Sequence, residues 1–122
     1  DLCTHQRYLQ TDCKVLNGAD TTTVYALMAG ATGVIWGGAN YMPREAVALY
    51  DHVHAGRHAE ALALWKKMLP SLLYIWTTDY IQAVLAAAKH RGYGTGNVRK
   101  PLRNWDRQRR DAMIATLAPL MA

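Results

Sequence analysis

The stretch CKVLNGADTTTVYALMAGATGVIWGGAN, Cys13 to Asn40, decides the fold. CKVLN (Cys13 to Asn17) is short and apolar in its middle, and predicts a strand. Asp20 is a good N-cap residue for a helix over Thr21 to Ala29, and Gly30 stands where a left-handed C-terminal residue is wanted. Val34, Ile35 and Trp36 then form the apolar centre of a second strand, Gly33 to Trp36. Gly37 and Gly38 behind it permit a tight turn or the close approach of a ligand. Strand, helix and strand in this order make a β-α-β unit, whose two strands run parallel. Parallel strands occur in sheets covered on both faces, and two strands alone cannot make one. Further polypeptide is therefore expected against this pair.

Beyond Asn40 the pattern turns helical. Pro43 opens a helix whose stripe is Ala46, Val47, Tyr50 and Val53, stopped by Gly56. A second helix is predicted from Ala59 to Trp76, with Leu62, Trp65, Met68, Leu69, Leu72, Leu73 and Trp76 on its apolar side and a kink at Pro70. A third runs from Asp79 to His90, with Ile81, Val84, Leu85 and Ala88 inward. GYGTGNVRKPL (Gly92 to Leu102) reads as a loop, and a last helix from Asp106 to Leu120 carries Met113, Ile114, Leu117 and Leu120 on one side.

Composition sets the limits of this reading. With 122 residues, 51% hydrophobic and 19% charged, the chain holds one domain's worth of core. Disorder, collagen-like repetition and low complexity are excluded. Lys66, Lys67 and Asp79 bracket the strongest apolar run, LPSLLYIW, so nothing reaches a membrane span. DLCTHQRYLQ at the start shows no charged head followed by an apolar stretch, so it is not read as a secretory leader. It is expected to be the edge of something longer. Cys3 and Cys13, nine residues apart in number of intervening positions and without a CxxC pair, support neither a zinc framework nor a disulfide scaffold; a reduced cytoplasmic setting is the default.

Several groups invite sharper readings. His52, His54 and His58 could share a metal on one helix, yet Gly56 breaks the spacing and no carboxylate or cysteine completes a set; they are read as surface histidines at a helix turn. GYGTGN follows a helix and lacks the rest of a phosphate-binding motif, so it is read as a plain loop. The net charge of +5 includes the cluster Arg99, Lys100, Arg103, Arg107, Arg109 and Arg110, with Trp105 interleaved as a stacking candidate for nucleic acid. Asp106 and Asp111 dilute it, and a solvated face with salt bridges is preferred. The strand ends carry more: ligands in parallel α/β architectures meet the carboxyl ends of strands, here Asn17 to Thr21 and Ile35 to Gly38. Residue chemistry alone leaves open whether Asp20 is an ordinary cap and Gly37 and Gly38 ordinary turn residues.

In combination, LNGAD (Leu16 to Asp20), GATGVIWGGAN (Gly30 to Asn40), AGRHAEALALWKKMLP (Ala55 to Pro70) and NVRKPL (Asn97 to Leu102) resemble the C-terminal part of the dihydrodipicolinate synthase and N-acetylneuraminate lyase family of class I aldolases. The resemblance implies an α/β fold: strands seven and eight of a (β/α)₈ TIM barrel in residues 1–56, and a three-helix C-terminal extension in 57–122. It implies a lyase in which a lysine amine condenses with the ketone of pyruvate or a 2-oxo sugar acid and a tyrosine shuttles protons. That lysine and that tyrosine lie upstream in the family, outside this chain, which is therefore expected to be inactive alone. Lys14, Lys66, Lys67, Lys89 and Lys100 stand at the wrong places. The implied binding wall is Asn17, Gly18, Asp20, Thr21, Ile35 through its backbone carbonyl, and Gly37. No cofactor or metal is implied. The expected partners are the remaining N-terminal barrel polypeptide, a small 2-oxo acid and further copies in a dimer or tetramer, with no nucleic acid and no membrane. TDYIQAV (Thr78 to Val84) replaces the proline-rich segment of lysine-biosynthetic members, which favours a sugar-acid aldolase or dehydratase branch. The competing class is a non-catalytic helical interaction module using the basic C-terminal face.

Overall fold

The computed structural model of the protein describes residues 2–121. The helix α1 (Leu2–Leu9) comes first and was not anticipated from the sequence; then follow β1 (Leu16–Asn17), α2 (Thr23–Met28) and β2 (Gly33–Val34). The helices α3 (Pro43–His54), α4 (His58–Thr77), α5 (Tyr80–His90), α6 (Arg107–Ala115) and α7 (Ala118–Met121) complete the order. The β-α-β unit is present, and β1 and β2 pair in parallel with Leu16 opposite Gly33 and Asn17 opposite Val34. Both strands are shorter than predicted. Their ladder continues only through Thr32 N–H to the Val15 carbonyl and Ile35 N–H to the Asn17 carbonyl, both 2.8 Å.

The helix α2 packs on both strands, and Trp36 just beyond β2 stacks on Trp65 of α4 on that same face. Val15, Asn17 and Trp36 point into it and are buried, whereas Leu16 and Ile35 alternate to the other face and are 53% and 70% exposed. The chain's accessible surface is 7606 Å², against roughly 6,600 Å² for a compact protein of this mass. An uncovered sheet face contributes to the excess.

The helical apolar stripes have the predicted period but a shifted phase. On α4 the buried row is Ala61, Trp65, Met68, Leu72 and Ile75, while Leu62, Leu73 and Trp76 are exposed. The helix runs through Pro70 without ending. On α3 Leu49 is fully buried and Val47 is 61% exposed; on α5 a face of small residues, Ala83, Ala86, Ala87 and Ala88, is buried with Val84, and Ile81 is exposed. The predicted last helix is two. Pro119 would have to sit over the carbonyl of Ala115 in one continuous helix, a clash that the break after Ala115 avoids.

One apolar core joins the β-α-β unit to the helices that follow it. Val24, Leu27 and Trp36 pack with Leu49, Trp65, Met68, Leu72, Ile75, Val84, Trp105, Met113 and Leu117. Trp36 stacks on Trp65 at 6.3 Å, and Tyr25 meets Trp65 edge-on. Stripes at three- and four-residue steps bring α3 and α4 against α2, and α5 against α4.

Candidate active site at the strand ends

The carboxyl ends of β1 and β2 lie side by side because the strands are parallel and in register. After β1 the chain bends at Gly18 and Ala19 into a short 3-10 turn, Asp20–Thr22, which leads into α2. The Asn17 side chain holds this bend. Its amide donates to the Ala19 carbonyl at 2.8 Å and to Thr23 Oγ1 at 3.3 Å, and its oxygen accepts from Thr22 Oγ1 at 3.2 Å. Asn17 is thus buried on the helix-covered side. Gly18 is exposed, with no atom within 4 Å of where a side chain would begin, and Thr21 is half-buried.

Asp20 does not cap α2. The residue preceding that helix is Thr22, and no side chain caps it. Asp20 is 1% exposed, and its carboxylate turns toward two donors far along the chain. Oδ1 accepts from Gly38 N–H at 2.7 Å and Oδ2 from the Tyr80 hydroxyl at 2.7 Å. The reason is geometric: a cap must lie one residue before a helix, whereas the 3-10 turn starts at Asp20 itself and frees its side chain for a longer reach.

Gly37 and Gly38 are buried in a second 3-10 turn, Gly37–Asn40, and the close approach they permit is made by the chain itself. A side chain on Gly37 would collide with the Tyr80 hydroxyl and with its Cζ at 2.7 Å, and would press on Val84; one on Gly38 would meet Leu72 at 2.8 Å. On the side where a side chain would start, α5 fills the space at Gly37 and α4 that at Gly38. Asn40 donates to the Gly37 carbonyl at 3.1 Å and closes the turn. Ile35 projects from the uncovered face, its amide spent on Asn17. Burial, the hydrogen bond to Asp20 and the Asp20 charge push the Tyr80 phenol up to about 12. Tyr41, fully buried and donating to Ser71 at 3.3 Å, is raised further, chiefly by desolvation.

Tyr80 is the residue that sequence reading missed. It lies within TDYIQAV, but the signal that identifies it, a buried acid sixty residues upstream with no basic partner among the described residues, exists only in three dimensions. Several other candidates are engaged locally. Trp105 is buried, its indole N–H bound to Asp79 at 2.9 Å, and does not present a stacking face. Arg109 pairs with Asp79 at 2.9 Å and Arg107 with Asp111 at 3.5 Å. His52 accepts from Arg57, and His54 stacks on Tyr50. Among the described residues no three His, Cys, Asp or Glu side chains gather as a metal site. Cys13 is an exposed thiol; the side chain of Cys3 lies outside those described. No helix is long and apolar enough to cross a membrane.

A two-stranded parallel unit with its carboxyl ends together, followed by a helical bundle packed on the same core, is matched over residues 2–119 by the model of the dihydrodipicolinate synthetase family. The chain belongs to that family. It is 28% identical over 103 residues to the 4-hydroxy-tetrahydrodipicolinate synthase of Streptococcus uberis, a match covering 84% of this chain and 33% of that protein. It is 31% identical over 109 residues to the "Probable 5-dehydro-4-deoxyglucarate dehydratase" of a Chelativorans species, covering 84% of this chain and 36% of that protein. In fold it superposes on the dihydrodipicolinate synthase of Thermotoga maritima with a TM-score of 0.85 at 23% identity, over 97% of this chain and 42% of that one. The chain therefore spans about a third of the length of the curated relatives it matches. The solved family members are TIM-barrel proteins, and the mostly helical chain with its short parallel pair corresponds to part of such a fold.

Proposed function

We propose that this chain is the C-terminal portion of a Schiff-base-forming lyase, an aldolase or dehydratase acting on pyruvate or a 2-oxo sugar acid. Residues 1–56 supply strands seven and eight of the barrel with their helices, and residues 57–122 the helical extension. The observation that carries this reading is the parallel pair covered on one face only, with Leu16 and Ile35 exposed on the other. The remaining barrel polypeptide is the partner that would cover it, and the assembled enzyme would be a cytoplasmic homo-oligomer.

In that assembly the chain's residues build the wall of the pocket. The Ile35 carbonyl lies beside the bound oxo acid, Gly18 admits its close approach, and Thr21 and the Gly37 backbone face its variable end. Asn17 and Asp20 belong to the same wall but are buried in this chain, so they act by holding it. The electron sink for breaking or making the bond is the iminium formed on a lysine supplied by the upstream part. The sugar-acid branch is favoured because Thr78 to Val84 departs from the proline-rich segment, and the Chelativorans relative is named as a sugar-acid dehydratase.

Borohydride reduction in the presence of pyruvate tests the reading. The isolated chain should trap no adduct, because Lys14, Lys66, Lys67, Lys89 and Lys100 are all exposed and none lies at the carboxyl ends of the strands. With the upstream barrel segment restored, one adduct should appear on a lysine absent from this sequence. Stoichiometric labelling of any of the five, or no adduct in the completed barrel, overturns it.

A further inference from the structure

We propose that Asp20 is a positioning residue that fastens the first turn of α5, through Tyr80, to the turn after β2, through Gly38. The functional half of this inference rests on the lyase reading above.

A carboxylate that is 1% exposed must find donors inside the protein. Among the described residues no Lys, Arg or His forms an ion pair with Asp20, so its donors are the two neutral groups at 2.7 Å. Hydrogen bonds to an ionised acceptor are stronger than neutral ones. Each oxygen takes one donor, and the two donors come from elements 18 and 60 residues away in sequence. Asp20 thus ties three segments together at one point: the end of β1, the end of β2 and the start of the extension.

The contact with Tyr80 has a second consequence. The same hydroxyl that reaches Asp20 sits over the Gly37 backbone, close enough to exclude even a Cβ there. Tyr80 is held by Asp20 on one side and Gly37 on the other, and the Gly37–Gly38 peptide is held between Tyr80 and the Asp20 carboxylate. A substrate approaching the strand ends cannot reach a carboxylate so deeply enclosed. Asp20 would therefore affect binding through the placement of the Gly37–Gly38 turn and of Tyr80, and not by accepting a substrate hydroxyl.

The test uses Asp20→Asn, which keeps the shape, and Tyr80→Phe, which removes only the hydroxyl. In the 122-residue chain, amide exchange at Gly38 should accelerate by about tenfold in Asp20→Asn and less in Tyr80→Phe, with circular dichroism unchanged. In the barrel completed by its upstream segment, both variants should raise KM for a long, hydroxylated 2-oxo acid several-fold. In both, the rise in KM should exceed the fall in kcat. Unchanged Gly38 exchange in both variants overturns the tie. Faster exchange with unchanged KM makes Asp20 a purely structural residue and overturns the positioning role. Loss of pyruvate trapping in both variants makes the pair part of the chemistry and overturns it as well. Absence of trapping in the unsubstituted barrel removes the lyase reading and the functional half with it, while the exchange data still decide the tie.

Discussion

Gly37 has no room for a methyl group, because Tyr80 and Val84 already occupy the position. Gly37→Ala is expected to lower stability by about 1–3 kcal/mol, the usual cost of forcing extra volume into a packed site. Urea denaturation of the chain measures it, and the Gly18→Ala variant, with nothing within 4 Å, is the control that should change far less. Tyr80 itself gives an alkaline signature. Its phenol is raised to about 12 in the fold, chiefly by burial and then by Asp20, and returns to about 10 when unfolded. Its contribution is complete below pH 10 and is lost as the pH climbs from 10 to 12, where the unfolded chain gains by ionising. The fall in stability across that window should therefore be smaller in Tyr80→Phe than in the parent chain, as thermal melts at stepped pH would report. None of this was legible from sequence. Asp20 before a threonine run looks like a cap, and two glycines after a strand look like room for a ligand. Only the packing of α5 over them shows that the room is taken.

At the level of the helix, α4 separates what sequence reads well from what it reads poorly. Its extent, its continuity with an apolar side and the inward placement of Trp65, Met68 and Leu72 follow from spacing alone. The width of the stripe does not, since Leu62, Leu73 and Trp76 carry the same chemistry as their buried neighbours yet lie on its flanks. Which flank is buried depends on what stands opposite, and a single helix contains no record of that. Trp65→Ala should cost about 3–5 kcal/mol, since it removes a ring 2% exposed that meets both Trp36 and Tyr25. Trp76→Ala, at 56% exposure, should stay within about 0.5 kcal/mol in this chain. Denaturation of the two variants side by side checks the phase of the helix. The helix α1 was missed for a different reason: its eight residues make little more than two turns, too few for a pattern to repeat.

For the whole molecule, the order strand, helix, strand and then helices was readable, and so was the parallel pairing, because one helical crossover imposes it. The lengths of the strands were not, since they depend on what pairs with each strand, which the strand's own residues do not record. Ile35 is the probe of that difference. At 70% exposure, Ile35→Ser should change the stability of the isolated chain by less than about 0.5 kcal/mol. Added to the upstream barrel segment, the same variant should assemble more weakly than the parent chain, a difference that analytical ultracentrifugation would detect. Equal assembly would mean that the uncovered face has no partner there. The junction at Asp20 also bears on the order in which the molecule takes shape. Its near partner, Gly38, lies 18 residues away and its far partner, Tyr80, 60; closing the longer loop costs about 1 kcal/mol more in chain entropy. During synthesis the β-α-β unit leaves the ribosome with Asp20 able to find Gly38 but not Tyr80, and one carboxylate oxygen waits for a residue still to be made. The strand ends are completed by a segment translated after them.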